Sequence, residues 1–195
     1  MEEEKNNTLK NIAEFIWEML KTAITVILVV YLIKTFLFQL FIVDGQSMEP
    51  TLHDGQMLLV DKLSYYYRQP QRGEIIVFEK PKETQTNFIK RVVGLPGEKI
   101  TIHNNQIIVY NESNPDGLKL NEDYIPPDSP TNGNQEFTIA ANEVFVLGDN
   151  RTNSQDSRVI GPINEKLILG RALFTYWPIK DAFWLTTPIY NSSPN

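Results

Sequence analysis

With 195 residues the chain has room for one substantial domain plus an anchor, and two large domains are not expected. A net charge of -6, with no Lys/Arg cluster beyond Lys90-Arg91, argues against a nucleic-acid partner, which needs a basic face. No cysteine is present and the only histidines are His53 and His103, which excludes a disulfide scaffold, a thiol nucleophile and a Cys- or multi-His-ligated metal; no metal or cofactor is expected.

Residues 1–21 read as a cytoplasmic or interfacial lead-in. Leu9, Ile12, Ala13, Ile16, Trp17 and Leu20 recur at helical spacing, with Lys10, Glu14 and Glu18 on other faces. Residues 22–42 read as a transmembrane helix: as a helix the run is about 32 Å long, against a hydrocarbon core of about 30 Å. Fourteen Leu, Ile, Val or Phe residues outweigh the single charge of Lys34, which can snorkel. A cleavable signal is a poorer fit, because the apolar run is long and passes into bulky Leu40-Phe41-Ile42-Val43 rather than a small-x-small site. Lys5, Lys10 and Lys21 precede the span, and only Lys62 occurs in the twenty residues after it, so the N-terminus is expected in the cytoplasm and the remainder outside.

From Val43 the pattern changes to short β-branched and aromatic runs at 57–60, 74–78, 87–93, 99–103, 106–110, 136–139, 144–147 and 171–177. Arg72-Gly73, Leu95-Pro96-Gly97, Asn104-Asn105 and Gly148-Asp149-Asn150 punctuate them, which predicts a mainly β domain over 43–180, an antiparallel barrel or sandwich. Asn, Asp, Pro, Gly and Ser dominate about 111–135, which reads as an insertion. One short helix is expected at 164–169, and a tail over 181–195 ends in a frayed Ser192-Ser193-Pro194-Asn195.

Ser47 lies between Gly45 and Pro50, five residues beyond the apolar run. Five residues reach at most about 17 Å, so a nucleophile here would work close to lipid. Lys90 sits among Ile89, Val92 and Val93; an isolated strand lysine ordinarily faces water, but a buried one becomes neutral and can serve as a general base. Lowering its pKa from about 10.4 to about 8 would cost the fold some 3 kcal/mol, in full below the lowered value, fading between the two values and gone above the unfolded one. In 148–158, Asp149, Arg151, Asp156 and Arg158 can form two opposite-charge pairs that brace a loop holding Ser154 and Ser157. Taken alone, that loop reads as a charge-stapled hairpin.

The order of segments is that of a known family: an apolar anchor, Ser47-Met48-x-Pro50-Thr51, Arg72-Gly73-Glu74 through Phe78, Ile89-Lys90-Arg91 through Glu98, and Gly148-Asp149-Asn150-Arg151 through Arg158. The chain resembles bacterial type I signal peptidases, the leader peptidases, from about Phe15 to Pro178. The resemblance implies a signal peptidase fold and a membrane-bound serine endopeptidase that removes signal peptides from exported preproteins. It makes Ser47 the nucleophile and Lys90 the general base, a Ser-Lys dyad acting through an acyl-enzyme. Ser154 would orient the lysine amine, Asp149, Arg151, Asp156 and Arg158 would brace the loop, and Met48 would pack below the nucleophile.

Also implied are preprotein substrates with small residues one and three positions before the cut, and a monomer held in the plasma membrane by one span. Some relatives carry an oxyanion-donating serine where this chain has Gly45, so the second oxyanion donor is unassigned. Two alternatives compete. One is a membrane-tethered β module that only binds partners, with Lys90 exposed. The other is a self-cleaving repressor protease with the same dyad, which would ordinarily be soluble and carry a DNA-binding domain.

Overall fold

The computed structural model describes residues 2–83, 86–127, 129–188 and 190, so the expected frayed end Ser192-Ser193-Pro194-Asn195 lies outside the described residues. Contacts divide the chain into two units, 1–38 and 39–195. The first is helix α1 (Glu2–Leu32), which continues as a π-helical segment, Ile33–Leu37. Lys10–Leu37 is long and apolar enough to cross a membrane by length and composition, and none of its apolar window is buried by protein.

The helix expected over 22–42 ends earlier. Phe38–Ile42 is a strand, β1, at one edge of a sheet, and nine residues rather than four separate the helical run from Ser47. Apolarity alone does not distinguish a helix end from a strand, and the available edge of β2 decides between them.

The second unit is mainly antiparallel β. Its strands are β2 (Met57–Asp61), β3 (Ile75–Glu79), β4 (Asn87–Gly94), β5 (Lys99–His103), β6 (Gln106–Asn111), β7 (Asn114–Lys119), β8 (Gln135–Thr138), β9 (Glu143–Leu147), β10 (Ile163–Asn164), β11 (Ile168–Trp177) and β12 (Phe183–Trp184). One sheet has the order β1-β2-β11-β3-β4-β9-β10, with β12 also on β11; the other is β7-β6-β5-β8. Both are open paths, so the barrel alternative gives way to two sheets.

Strand alternation explains how the large sheet is covered on both faces. In β3, Ile75 and Val77 join a cluster with Met48, Leu52, Leu58 and Val60, whereas Ile76 and Phe78 join Val92, Val144, Val146 and Ile163. In β9 the alternate pair, Phe145 and Leu147, packs with Ile100, Ile102, Ile107 and Val109 of the smaller sheet.

Two short helices are unanticipated, α2 (Ser64–Tyr67) and α3 (Ser157–Ile160). The helix expected at 164–169 is instead the end of β10, a single 3-10 turn at Glu165–Leu167 and the start of β11. Asn164 accepts from Lys166 N–H and caps the turn's entry, while Ile168 onward pairs with β3, so tertiary pairing overrides local helix propensity. The polar insertion also contributes β7, despite its Pro115 and Gly117.

Candidate active site

A tight loop connects β1 to β2 and presents Ser47. Val43 N–H donates to Gln56 O (2.8 Å) and Gly55 N–H to Val43 O (2.9 Å), closing its base. Gly45 has φ +91°, a backbone shape that glycine adopts freely, and its N–H donates to Asp54 Oδ1 (2.8 Å). Met48, wholly buried, pins the loop from beneath by joining the core of β2 and β3.

Across from the loop stands β4. Lys90 and Arg91 are successive strand residues, so they leave β4 on opposite faces and do different things. Lys90 is 3% exposed, and its Nζ lies 2.7 Å from Ser47 Oγ. The same nitrogen donates to Ile89 O (2.8 Å) and sits 5.1 Å from the centre of the Phe88 ring. Burial pushes the amine down to about 8, against the opposing pull of Asp156 and Asp149.

Arg91 is held differently. Its Nε and Nη2 donate to Asp149 Oδ1 (2.9 Å) and Oδ2 (2.6 Å), a bidentate buried pair, and Nη1 donates to Gly73 O (2.9 Å). Its Nη2 also reaches Thr51 Oγ1 (3.3 Å) in the serine loop.

The loop after β9 closes the third side, and here the expected pairing changes. Arg158 does pair with Asp156, both carboxylate oxygens accepting at 2.8 Å. Arg151 does not pair with Asp149. It makes a bidentate pair with Glu122 of the insertion (2.7 and 2.6 Å), donates to Gly148 O (3.0 Å), and bonds Thr131 Oγ1. Tyr124 adds to this cluster, donating to Glu122 Oε1 (2.6 Å) and stacking its ring under Arg91, 4.2 Å away. Thus the braces are three pairs, two of them reaching outside the loop.

The loop grips the serine turn through its backbone. Asn150 N–H donates to Ser47 O (3.1 Å), and Asn150 Nδ2 donates to Gln46 O (3.1 Å). Gly148 permits the approach: a Cβ there would fall 2.2 Å from Ser154 Oγ and 2.5 Å from Ser47 O. Ser154 Oγ is buried and has no hydrogen-bond partner among the described residues, so it is not bonded to Lys90 as expected. Ser157 Oγ instead accepts from Val146 N–H (2.9 Å).

Sequence reasoning passed over Arg91, Glu122 and Asn150. Arg91 carried a signal, a second cation next to Lys90 inside an apolar strand. Glu122 carried none, since its partner lies 29 positions away. The motif acids Glu74 and Glu98 belong to the framework: Glu74 binds Arg68 and Tyr65, and Glu98 binds Arg72 and Leu95 N–H.

Beside the Ser47–Lys90 pair lies a cleft of about 310 Å³ lined mainly by apolar groups, including Ile42, Leu58, Val77 and Ile89, with Asp44 and Gln155 at polar positions. A nucleophile-grade hydroxyl, a desolvated amine within hydrogen-bond reach and an apolar cleft at the same point can together perform acyl transfer. Among the described residues there is no cluster of three or more His, Asp or Glu able to hold a metal ion.

Residues 16–177 match the family model of signal peptidase, peptidase S26. A probable signal peptidase I-2 of Synechocystis sp. is 35% identical over 174 residues, covering 87% of this chain and 77% of that one. Signal peptidase I of Bacillus amyloliquefaciens is 32% identical over 191 residues, covering 93% and 97%. A crystal structure of a signal peptidase I from Enterococcus faecalis V583 aligns with a TM-score of 0.45 and 28% identity, over 53% of this chain and 97% of that one.

Proposed function

Since the chain belongs to the signal peptidase family, peptidase S26, we propose that it is a membrane-anchored serine endopeptidase that cuts signal peptides from preproteins, with Ser47 as nucleophile and Lys90 as general base. The 2.7 Å approach of a buried Lys90 amine to Ser47 Oγ carries this reading. With its amine pushed down to about 8, Lys90 is partly neutral near physiological pH and able to accept a proton.

Neutral Lys90 takes the Ser47 proton as Oγ attacks the scissile carbonyl carbon. The tetrahedral oxyanion collapses, Lys90 returns the proton to the leaving amine, and the acyl half remains esterified to Ser47. Water, deprotonated by the same amine, attacks the ester and releases the acid, regenerating the hydroxyl. Ser47 N–H is the first oxyanion donor, a contribution of about 3 kcal/mol for a well-placed donor. Gly45 supplies no side chain for a second.

The apolar cleft takes the residues before the cut, and membership of the family leads us to expect small side chains one and three positions upstream. Both members of the dyad come from one chain, so a monomer suffices. The apolar helix anchors the enzyme in the plasma membrane with the N-terminus in the cytoplasm and residues 43–180 outside, where a membrane-held preprotein presents its cleavage site.

Assaying the purified protein on a preprotein in detergent tests the reading. Ser47→Ala and Lys90→Ala are each expected to lower kcat by at least about 10³-fold, the scale of losing one member of a catalytic pair. Wild-type rates in both variants would overturn it.

A further inference from the structure

A second cleft adjoins the serine loop, and the cutting reaction as described makes no use of it. It is an open hollow of about 280 Å³ lined by Glu49 and Pro50, by Pro126 and Ser129 of the insertion, and by Asn150 and Thr152. The apolar cleft draws on the same two loops around Ser47 but shares none of these residues. In the serine loop, 44 and 47 line the apolar cleft and 49 and 50 the second; in the loop after β9, 155 lines the first and 150 and 152 the second. Ser47 thus lines the apolar cleft and stands two residues along the chain from Glu49 of the second.

A peptide under attack at Ser47 has two halves. The acyl half must end at the Ser47 oxygen, and the amine half must leave on the other side. Glu49 is two residues from Ser47, at most about 7 Å between Cα atoms. That is the span of about two residues of extended peptide. We propose that the cleft lined by Glu49, Pro50, Pro126, Ser129, Asn150 and Thr152 binds the first two substrate residues after the cut, and that Glu49 selects there for basic over acidic side chains.

Charge supports this choice of occupant. Glu49 is the only ionisable residue among the described lining residues. Its carboxylate is over a third exposed and has only a loose contact with His53 (3.7 Å), so it can meet an incoming cation. Asn150 links the two functions, since it lines this cleft while holding the Ser47 and Gln46 carbonyls. The polar insertion thereby becomes one wall of the substrate path. The proposal rests on the peptidase reading.

The test uses the full chain in detergent and peptides that share one acyl half, with Lys or Glu placed in turn at the first and second positions after the cut. Wild-type kcat/KM is expected to favour Lys by about two- to five-fold at low salt at one or both positions, the size of an exposed ion pair, and to lose that preference at high salt. Glu49→Gln should level the ratio and Glu49→Lys should reverse it. The same Lys/Glu ratio in all three enzymes, or a wild-type ratio of one at both positions, overturns the subsite while leaving the peptidase reading intact. Failure of the wild type to cut any of the peptides overturns the peptidase reading and the subsite with it. If Glu49→Lys does not fold, Glu49→Gln and the salt dependence of the wild type distinguish the same outcomes.

Discussion

Lys90 shows how burial and charge compete at one atom. Asp149 and Asp156 both favour its ammonium, yet burial lowers the amine from 10.5 to about 8. The net effect is worth about 3 kcal/mol against the charged form, at about 1.4 kcal/mol for each unit. Two features let the neighbouring carboxylates lose. Each is already committed to an arginine, Asp149 to Arg91 and Asp156 to Arg158, and neither makes a direct ion pair with Lys90. Ser154 is the complementary case, a buried hydroxyl without a partner among the described residues. An unmade buried hydrogen bond costs about 1–3 kcal/mol, so removing this hydroxyl should not destabilise the fold. We propose that Ser154 steadies the amine once Lys90 carries the proton, so Ser154→Ala should keep or slightly raise the unfolding midpoint while lowering kcat by about 10- to 100-fold. Unchanged kcat in a stable Ser154→Ala would remove that role.

At the scale of elements, β4 serves two loops at once. Lys90 meets the serine loop, while Arg91 ties the same strand to Asp149 and Thr51. The insertion reaches the site through Glu122, whose bidentate bond to Arg151 is shielded from water, the guanidinium being wholly buried. Burial lowers the arginine's pKa while Glu122 raises it, and the pairing wins. Glu122→Ala leaves that cation uncompensated and should cost about 3–5 kcal/mol; Arg151→Met together with Glu122→Leu, which removes both charges, should recover most of the loss. Urea unfolding of the wild type and these variants checks this, and a double variant no more stable than Glu122→Ala would contradict it. Short β-branched and aromatic runs bounded by turn residues made strands β2 to β6, β8, β9 and β11 legible, to within three residues. Elements set by pairing were not: β1 looks like the end of a helix, β7 contains Pro115 and Gly117, and 164–169 becomes strand because β3 is there to receive it. Likewise Ser47 and Lys90 could be named from their motifs, whereas Arg91–Asp149 and Glu122–Arg151 exist only once distant segments meet, so charge order along the loop could reveal Asp156–Arg158 but not these two.

For the molecule as a whole, the two units divide the work. The β unit holds Ser47, Lys90 and both clefts, and in the proposed function the apolar helix, long enough to cross a bilayer, supplies the attachment. Tethering raises the effective concentration of enzyme at a membrane-held substrate without changing the site. A protein lacking residues 1–37 should cut a short soluble peptide at close to the full rate but process a vesicle-bound preprotein about 10-fold or more slowly. Equal losses on both substrates would mean that the helix supports the fold rather than the encounter. The central claim remains the neutral amine of Lys90, and titrating it tests that claim most directly. Following the Lys90 Nζ resonance of the full chain in micelles from pH 6 to 11, beside kcat/KM on a peptide substrate, should give one transition near pH 8 in both, with activity rising as the proton leaves. A Lys90 pKa near the unperturbed value of about 10.4, or activity flat from pH 6 to 10, would contradict the account.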